Sequence, residues 1–267
     1  MNLKFRVFGD LHYLDEIPNW PEKRKLVEYA DIILDKLIES TNNNNELSFI
    51  INLGDLIQAT NNKEKDFNNL KYILNKLKKL NIKIYNVLGN HELKNVNSNK
   101  EVLNILDYKK SSYSFDYNEY HFLVVGTDIN NNDKDFKTQY VSKEDLLWIK
   151  KDLENNKNKK IIVFCHFGII EDKDLMSNYW AYTVDGENLM IRNRKELLDL
   201  LSNYNIMGMF CGHQHWTKKL TYKNYNCYML GSLTENINSD GIPDGVYFDV
   251  TLDNENIIVK EEHITII

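Results

Sequence analysis

Apolar positions along this chain follow two periods. Leu3 to Phe8, Ser48 to Leu53, Ile82 to Leu88, Ile161 to Cys165 and Ile206 to Cys211 are short apolar runs, as expected of strands buried on both faces. Between them, Leu26, Ala30, Ile33, Leu34 and Leu37 repeat at helical spacing and predict a helix over roughly residues 22–40, with Pro21 in its first turn. Phe67, Leu70, Ile73, Leu74, Leu77 and Leu80 predict a second helix. Ser142 to Asp145 reads as a capping box ahead of a third, which turns Leu146, Ile149 and Leu153 inward, and Leu197, Leu198 and Leu201 mark a fourth. Tyr113 to Thr127 predicts two paired strands turning at Tyr117-Asn118-Glu119. From Trp216 onward, short strands alternate with turns such as Asn254-Glu255-Asn256, with no further helix. This order, βαβαβα followed by hairpins, predicts an α/β sandwich with two sheets face to face and helices outside. No internal repeat or long linker interrupts it, so residues 1–267 are expected to form a single domain.

Composition narrows the function classes. A formal net charge of −6 gives no global reason to expect a nucleic-acid partner. The lysines opposite the apolar face of the second helix read as a solvated face. No apolar run approaches the ~20 residues a membrane span needs, and residues 1–6 carry no secretory signature. Three cysteines, Cys165, Cys211 and Cys227, are too few and too unevenly spaced for a disulfide framework. They suit a reducing compartment, and a cytoplasmic protein with no membrane partner is expected.

The chemistry sits where the apolar runs stop. Five strands end respectively in Asp10 and His12, Asp55, Asn90 and His91, His166, and His213 and His215. Five of the seven histidines lie in these blocks; only His121 and His263 lie elsewhere. Each block alone has an ordinary explanation, since Gly54-Asp55 suits a turn and a strand-end histidine is commonly structural. Together they place hard oxygen and imidazole donors beyond the carboxyl ends of successive strands, where α/β sheets bind ligands. Such a donor set suits divalent Mn²⁺, Fe²⁺ or Zn²⁺. Seven donors exceed what one tetrahedral ion uses, and two ions about 3.5–4 Å apart sharing a carboxylate would employ them all. Such a pair clamps a phosphate and sharpens a bridging water into a hydroxide nucleophile.

The ordered set Asp10-x-His12, Gly54-Asp55, Gly89-Asn90-His91-Glu92, His166 and Gly212-His213-x-His215 resembles the calcineurin-like metallophosphoesterases. The resemblance spans residues 8–216 and implies a four-layer αββα sandwich with two mixed sheets, together with phosphoester hydrolysis. It implies one metal on Asp10, His12, Asp55 and His215, and a second on Asp55, Asn90, His166 and His213, with Asp55 as the bridge. It also implies that His91 is not a ligand but a catalytic general acid beside Asn90, which counts as catalytic as well as metal-binding, with Glu92 as the orienting partner of His91 or as a helix-start acid. Gln58 departs from the pattern, because many relatives carry Asp there.

Within the family, Gly89 to Leu93, Tyr113-Ser114-Phe115 and the run from Glu196 to His213 are similar to the manganese-dependent ADP-ribose/CDP-alcohol diphosphatase branch. The cyclic-nucleotide phosphodiesterase branch shares much of this. His12 is a departure from the diphosphatase branch, which often lacks it. The expected substrate is therefore a small phosphodiester or nucleotide diphosphate of cyclic-nucleotide, ADP-ribose or CDP-alcohol type. A phosphomonoesterase or phosphoprotein phosphatase of the same fold is the alternative, and a non-catalytic metal-binding scaffold is the third reading. Tyr179, Trp180 and Tyr182 either stack a nucleobase or pack their loop onto the fold, and Trp216 has the same two readings.

Overall fold

Residues 2–19, 24–129, 139–170, 190–236, 240–254 and 256–266 are described by the computed structural model. In chain order the elements begin with β1 (Leu3–Phe8), α1 (Ala30–Asn42), β2 (Leu47–Asn52), α2 (Lys63–Leu77), β3 (Lys83–Asn86), α3 (Asn90–Leu93) and α4 (Asn99–Leu106). They continue with β4 (Tyr113–Tyr117), β5 (Tyr120–Val125), β6 (Asp128–Ile129), β7 (Gln139–Tyr140), α5 (Lys143–Asn155), β8 (Lys160–Cys165) and α6 (Arg194–Leu201). The last are β9 (Ile206–Cys211), β10 (Lys218–Tyr222), β11 (Tyr225–Met229), β12 (Val246–Asp253) and β13 (Asn256–His263). The α/β class read from the sequence is the one observed, with two mixed sheets and helices. The sheets belong to two units, one comprising residues 1–95 and 230–267, the other residues 96–229.

In the first unit the sheet order is β13-β12-β1-β2-β3. β1, β2 and β3 run parallel, so their carboxyl ends share one edge, while β12 and β13 are antiparallel. The apolar faces of α1 (Ile33, Leu34, Leu37) and α2 (Leu70, Ile73, Leu77) are buried as their spacing predicts. α1 begins later than its periodicity suggested, at Ala30, after a short 3₁₀ turn over Val27–Tyr29. The reason lies in the backbone before it. Leu26 N–H donates to Thr234 O at 3.1 Å, Asn236 N–H donates to Arg24 O at 2.9 Å, and Lys25 bridges Glu235, so residues 24–26 are drawn into an extended pairing.

In the second unit the order is β10-β11-β9-β8-β5-β4, with β11, β9, β8 and β5 parallel to one another. One face of this sheet, including Leu123, Ile161, Val163 and Met209, joins Ile149, Leu153, Leu197 and Leu201 of α5 and α6 in one apolar cluster. The other carries a ladder of stacked rings, Phe115, Phe122, Phe164, Phe210 and Tyr228, with neighbouring centroids 5.1–6.2 Å apart. Both faces of β8 and β9 are therefore apolar, which explains their unbroken hydrophobic sequences. The cap expected ahead of α5 is present, with Ser142 Oγ accepting the Asp145 N–H at 3.1 Å. α4 and the small β6–β7 pair had no clear periodic signal. Tyr179, Trp180 and Tyr182 lie outside the described residues.

His121 lies outside the strand-end blocks. It is buried on β5 and ties the β4–β5 hairpin to α5, holding Asp116 through Nδ1 and Asp152 through Nε2, each at 2.7 Å. Burial pulls its pKa down, but the hydrogen bonds and charges of Asp152 and Asp116 more than reverse this, leaving it raised. A raised folded-state pKa contributes stability that is complete below the unfolded value of about 6.5 and is lost as pH rises through the folded value. The urea midpoint of the wild type is therefore expected to exceed that of His121→Gln most near about pH 5 and least near about pH 9. A gap that stays constant with pH would rule out the doubly bridged imidazolium.

Candidate metal centre

Past the ends of β1 and β2 the backbone ladder continues into the loops. Asp10 N–H donates to Gly54 O and His12 N–H to Asp55 O, both at 2.9 Å. Asn52 Oδ1 accepts the Gly54 N–H at 3.0 Å, and Asn52 Nδ2 donates to Asn86 Oδ1 at 3.2 Å, aligning the ends of β2 and β3. Gly89 then passes so close to Asp55 that an added Cβ would lie 2.4 Å from the Asp55 nitrogen and 2.1 Å from Oδ1. Only glycine fits that approach.

These loops gather Asp10, His12 and Asp55, all buried, so that each offers a ligand atom within 4.8 Å of the others. His12 Nε2 stands 4.0 Å from Asp10 Oδ1 and 3.9 Å from Asp55 Oδ2. Those separations are too long for hydrogen bonds and suit donors that share one ion at bonds of roughly 2.0–2.2 Å. Asp55 Oδ1 accepts the His91 N–H at 2.8 Å, while Oδ2 lies 3.9 Å from His91 Nε2. Asn90 is the first residue of α3 and half-buried.

Glu92 proves to be the scaffold of this loop cluster. Its buried carboxylate accepts the N–H groups of Asp55 (3.0 Å), Leu56 (2.6 Å), Ile57 (3.4 Å) and Gly89 (2.8 Å). It therefore orients the backbone that carries Asp55. The His91 ring is held differently, with its Nδ1 accepting the Ala59 N–H at 3.0 Å. Gln58, beside Ala59, has a buried Oε1 with no hydrogen-bond partner among the described residues.

In the second unit, β8 and β9 deliver His166, His213 and His215. Gly212 N–H donates to His166 O at 2.9 Å, extending the β8–β9 ladder past both strands. The rings of His166 and His213 have centroids 5.1 Å apart, and each ring also contacts Phe167. Their ring nitrogens come within 4.8 Å of one another, and all three imidazoles are buried. The donor chemistry of both sets, carboxylate oxygen and imidazole nitrogen without thiolate, fits hard to borderline divalent ions. Cys165 and Cys211 stand one or two residues ahead of His166 and His213 but are buried, and burial pushes the Cys165 thiol up to about 12.

Backbone strain marks the same residues. Asp10, His12, Asp55, His213 and His215 all have φ between 50° and 68°, and they make up five of the nine left-handed non-glycine residues described. Such conformations cost about 1–2 kcal/mol per residue and cluster at functional sites. Asp-x-His and His-x-His thus repeat one turn geometry, with the left-handed conformation at both ends of each triplet.

Lys25 carried no sequence signal. The carboxylates of Asp55 and Asp10 act on its ammonium group, although burial dominates and lowers its pKa. Trp216 is half-buried, packs against the core of the second unit and has Lys218 Nζ 4.8 Å from its ring centroid.

Comparison with known proteins agrees with this chemistry. The profile described as calcineurin-like phosphoesterase matches residues 3–217. A protein named probable cyclic nucleotide phosphodiesterase from Xenorhabdus bovienii is 24% identical over 190 residues, 70% of this chain and 68% of that one. A probable glycerophosphodiester phosphodiesterase from Arcobacter nitrofigilis is 26% identical over 169 residues, 62% of this chain but only 56% of that protein's length. The crystal structure of a dimetal phosphatase from Danio rerio superposes with a TM-score of 0.75 at 14% identity, covering 97% of this chain and 95% of that one, which shows a shared fold.

Replacing the Glu92 carboxylate tests the scaffold. Glu92→Gln keeps the volume but turns one acceptor into a donor facing backbone N–H groups, and is expected to lower unfolding free energy by about 1–3 kcal/mol. Urea denaturation measures this, and an unchanged midpoint would show that the four hydrogen bonds carry no net stability.

Proposed function

This chain belongs to the calcineurin-like phosphoesterases and is a phosphoester hydrolase of that family, and we propose that it cleaves a small phosphodiester or nucleotide diphosphate. Cyclic nucleotides and substrates of ADP-ribose or CDP-alcohol type are the classes intended. The observation that carries the reading is the buried set Asp10, His12, Asp55, His166, His213 and His215, carboxylate and imidazole donors that follow strand ends. The phosphodiesterase names of both relatives support the choice of a small diester.

On this reading residues 1–267 work as one domain, because neither unit alone supplies enough donors for two ions. Asp10, His12, Asp55 and His215 would hold one ion, and Asp55, Asn90, His166 and His213 the other, with Mn²⁺ or Fe²⁺ favoured and Zn²⁺ also compatible. Two such ions, when bound, supply Lewis acidity and an activated water. The chain's own residues do the rest. Asp55, whose Oδ1 accepts the His91 N–H, would be held in place to serve both ions.

His91 is placed on the leaving-group side, the role its sequence pattern implied. Because Nδ1 accepts the Ala59 N–H, the ring carries its proton on Nε2, the nitrogen nearer Asp55 Oδ2. We read His91 as the group that serves the leaving oxygen from Nε2, as its general acid or hydrogen-bond donor. The protein is assigned to the cytoplasm because all three thiols are free and buried, as suits a reducing compartment. Among the described residues no helix is long and apolar enough to cross a membrane.

Two measurements test this reading. Bis-p-nitrophenyl phosphate should be hydrolysed faster than p-nitrophenyl phosphate, and chelation should abolish both reactions; clear preference for the monoester would make the protein a phosphomonoesterase, and no hydrolysis with any divalent metal would leave the scaffold reading. His91→Ala should slow release of phenol from a phenyl diester by roughly 10²–10³-fold, and release of p-nitrophenol markedly less. Equal slowing of both would remove His91 from the leaving-group side.

A further inference from the structure

The loop that follows β2 is held through its own amides. Asn52 Oδ1 accepts the Gly54 N–H, and the Glu92 carboxylate accepts those of Asp55, Leu56 and Ile57. The Gln58 N–H then donates to Tyr13 O at 2.8 Å, the Ala59 N–H to His91 Nδ1 at 3.0 Å and the Thr60 N–H to Asp66 Oδ1 at 2.8 Å. Every peptide N–H from Gly54 to Thr60 therefore has an acceptor. The last acceptor, Asp66, lies outside the donor set and outside the strand ends, yet its carboxylate is buried. A buried charge with no structural or chemical task is expensive, so its partners are informative.

Asp66 uses both oxygens. Oδ1 accepts the Thr60 N–H and also the Thr60 hydroxyl, at 2.7 Å, while Oδ2 accepts Asn95 Nδ2 at 2.6 Å. Asn95 Nδ2 also donates to Thr60 O at 2.6 Å, so the Thr60 backbone is gripped by both its N–H and its carbonyl. Thr60 directly follows Ala59, whose N–H holds the His91 ring. Asn95 stands four residues past His91, just beyond α3. One carboxylate thus ties together the donor side and the acceptor side of the Ala59–His91 hydrogen bond. It is anchored in turn, because Asp66 lies in the first turn of α2, where the helix dipole favours negative charge. Asn62 caps that turn by accepting the Glu64 and Lys65 N–H groups at 3.0 and 3.1 Å.

We infer that Asp66 is a positioning residue for His91: by clamping Thr60 to Asn95 it keeps the Ala59 N–H on Nδ1 and so aims Nε2 at the leaving oxygen. A single N–H bond to an uncharged ring bends easily, and it fixes the ring only when the peptide that carries it cannot move. Precision matters at that position, since a misplacement of about 1 Å costs roughly 10²-fold in rate. The hydrogen bonds of Asp66 end at Thr60 and Asn95, so it acts through His91 and not on the substrate. The inference deepens the function proposed above and rests on the leaving-group reading of His91.

Two readouts on the full chain test it. In metal-free protein at about pH 8, where an imidazole of ordinary pKa is neutral, nuclear magnetic resonance should detect coupling between the Ala59 amide nitrogen and His91 Nδ1. Asp66→Asn turns one acceptor oxygen into a donor facing donors, and that coupling should be lost. With metal bound, Asp66→Asn should slow release of phenol from a phenyl diester about tenfold or more, release of p-nitrophenol by at most about twofold, and leave metal content unchanged. Added to His91→Ala, it should slow phenol release by less than about twofold further, because residues that act through one group are not additive. Asn95→Ala cuts only the side of the clamp that reaches past α3, should show the same pattern, and covers the case in which Asp66→Asn fails to fold. Coupling that persists in the variants, equal slowing of both leaving groups or additivity with His91→Ala would overturn the inference. Should His91→Ala itself slow both leaving groups alike while Asp66→Asn abolishes the coupling, the leaving-group reading falls and the clamp on the ring stands.

Discussion

Burying the carboxylates of Asp10 and Asp55 beside an imidazole is the constraint from which the first unit follows. Two buried negative charges are expensive unless cations and hydrogen bonds compensate them. The chain meets that demand with backbone donors first. The His91 N–H bonds Asp55, and the loops carrying both acids hydrogen-bond to each other directly past the sheet edge. Glu92 then fixes the loop from behind by accepting four N–H groups. What backbone donors leave uncompensated is the charge that a divalent ion would neutralise.

Holding donors in this way requires strain, and strain requires a rigid support. Left-handed conformations at Asp10, His12, Asp55, His213 and His215 survive because each follows a strand buried on both faces. Adjacent parallel strands end at one sheet edge, so β1, β2 and β3 in one unit, and β8 and β9 in the other, bring their following loops together without long connections. The stacked rings from Phe115 to Tyr228 stiffen the second sheet beneath His166 and His213. Polar groups outside the donor set serve different ends: His121 staples a hairpin to α5, and the three thiols fill core positions.

The primary structure alone determined the strands, most helices and the donor inventory, because burial on both faces writes an unbroken apolar run and each run here stops at His, Asp or Asn. Even helix α5 and its Ser142 cap could be read directly, since capping is a local interaction. Only the tertiary structure decided the rest. The late start of α1 depends on residues 24–26 pairing with residues more than two hundred positions away. The roles of Glu92 and His91 depend on which backbone N–H groups reach them, and a side chain's letter does not encode its partners. The left-handed conformation of Asp10, His12, Asp55, His213 and His215 falls on residues other than glycine, so residue type did not announce it. Local patterns reveal what a segment must bury, whereas contacts between distant segments decide what its polar ends can do.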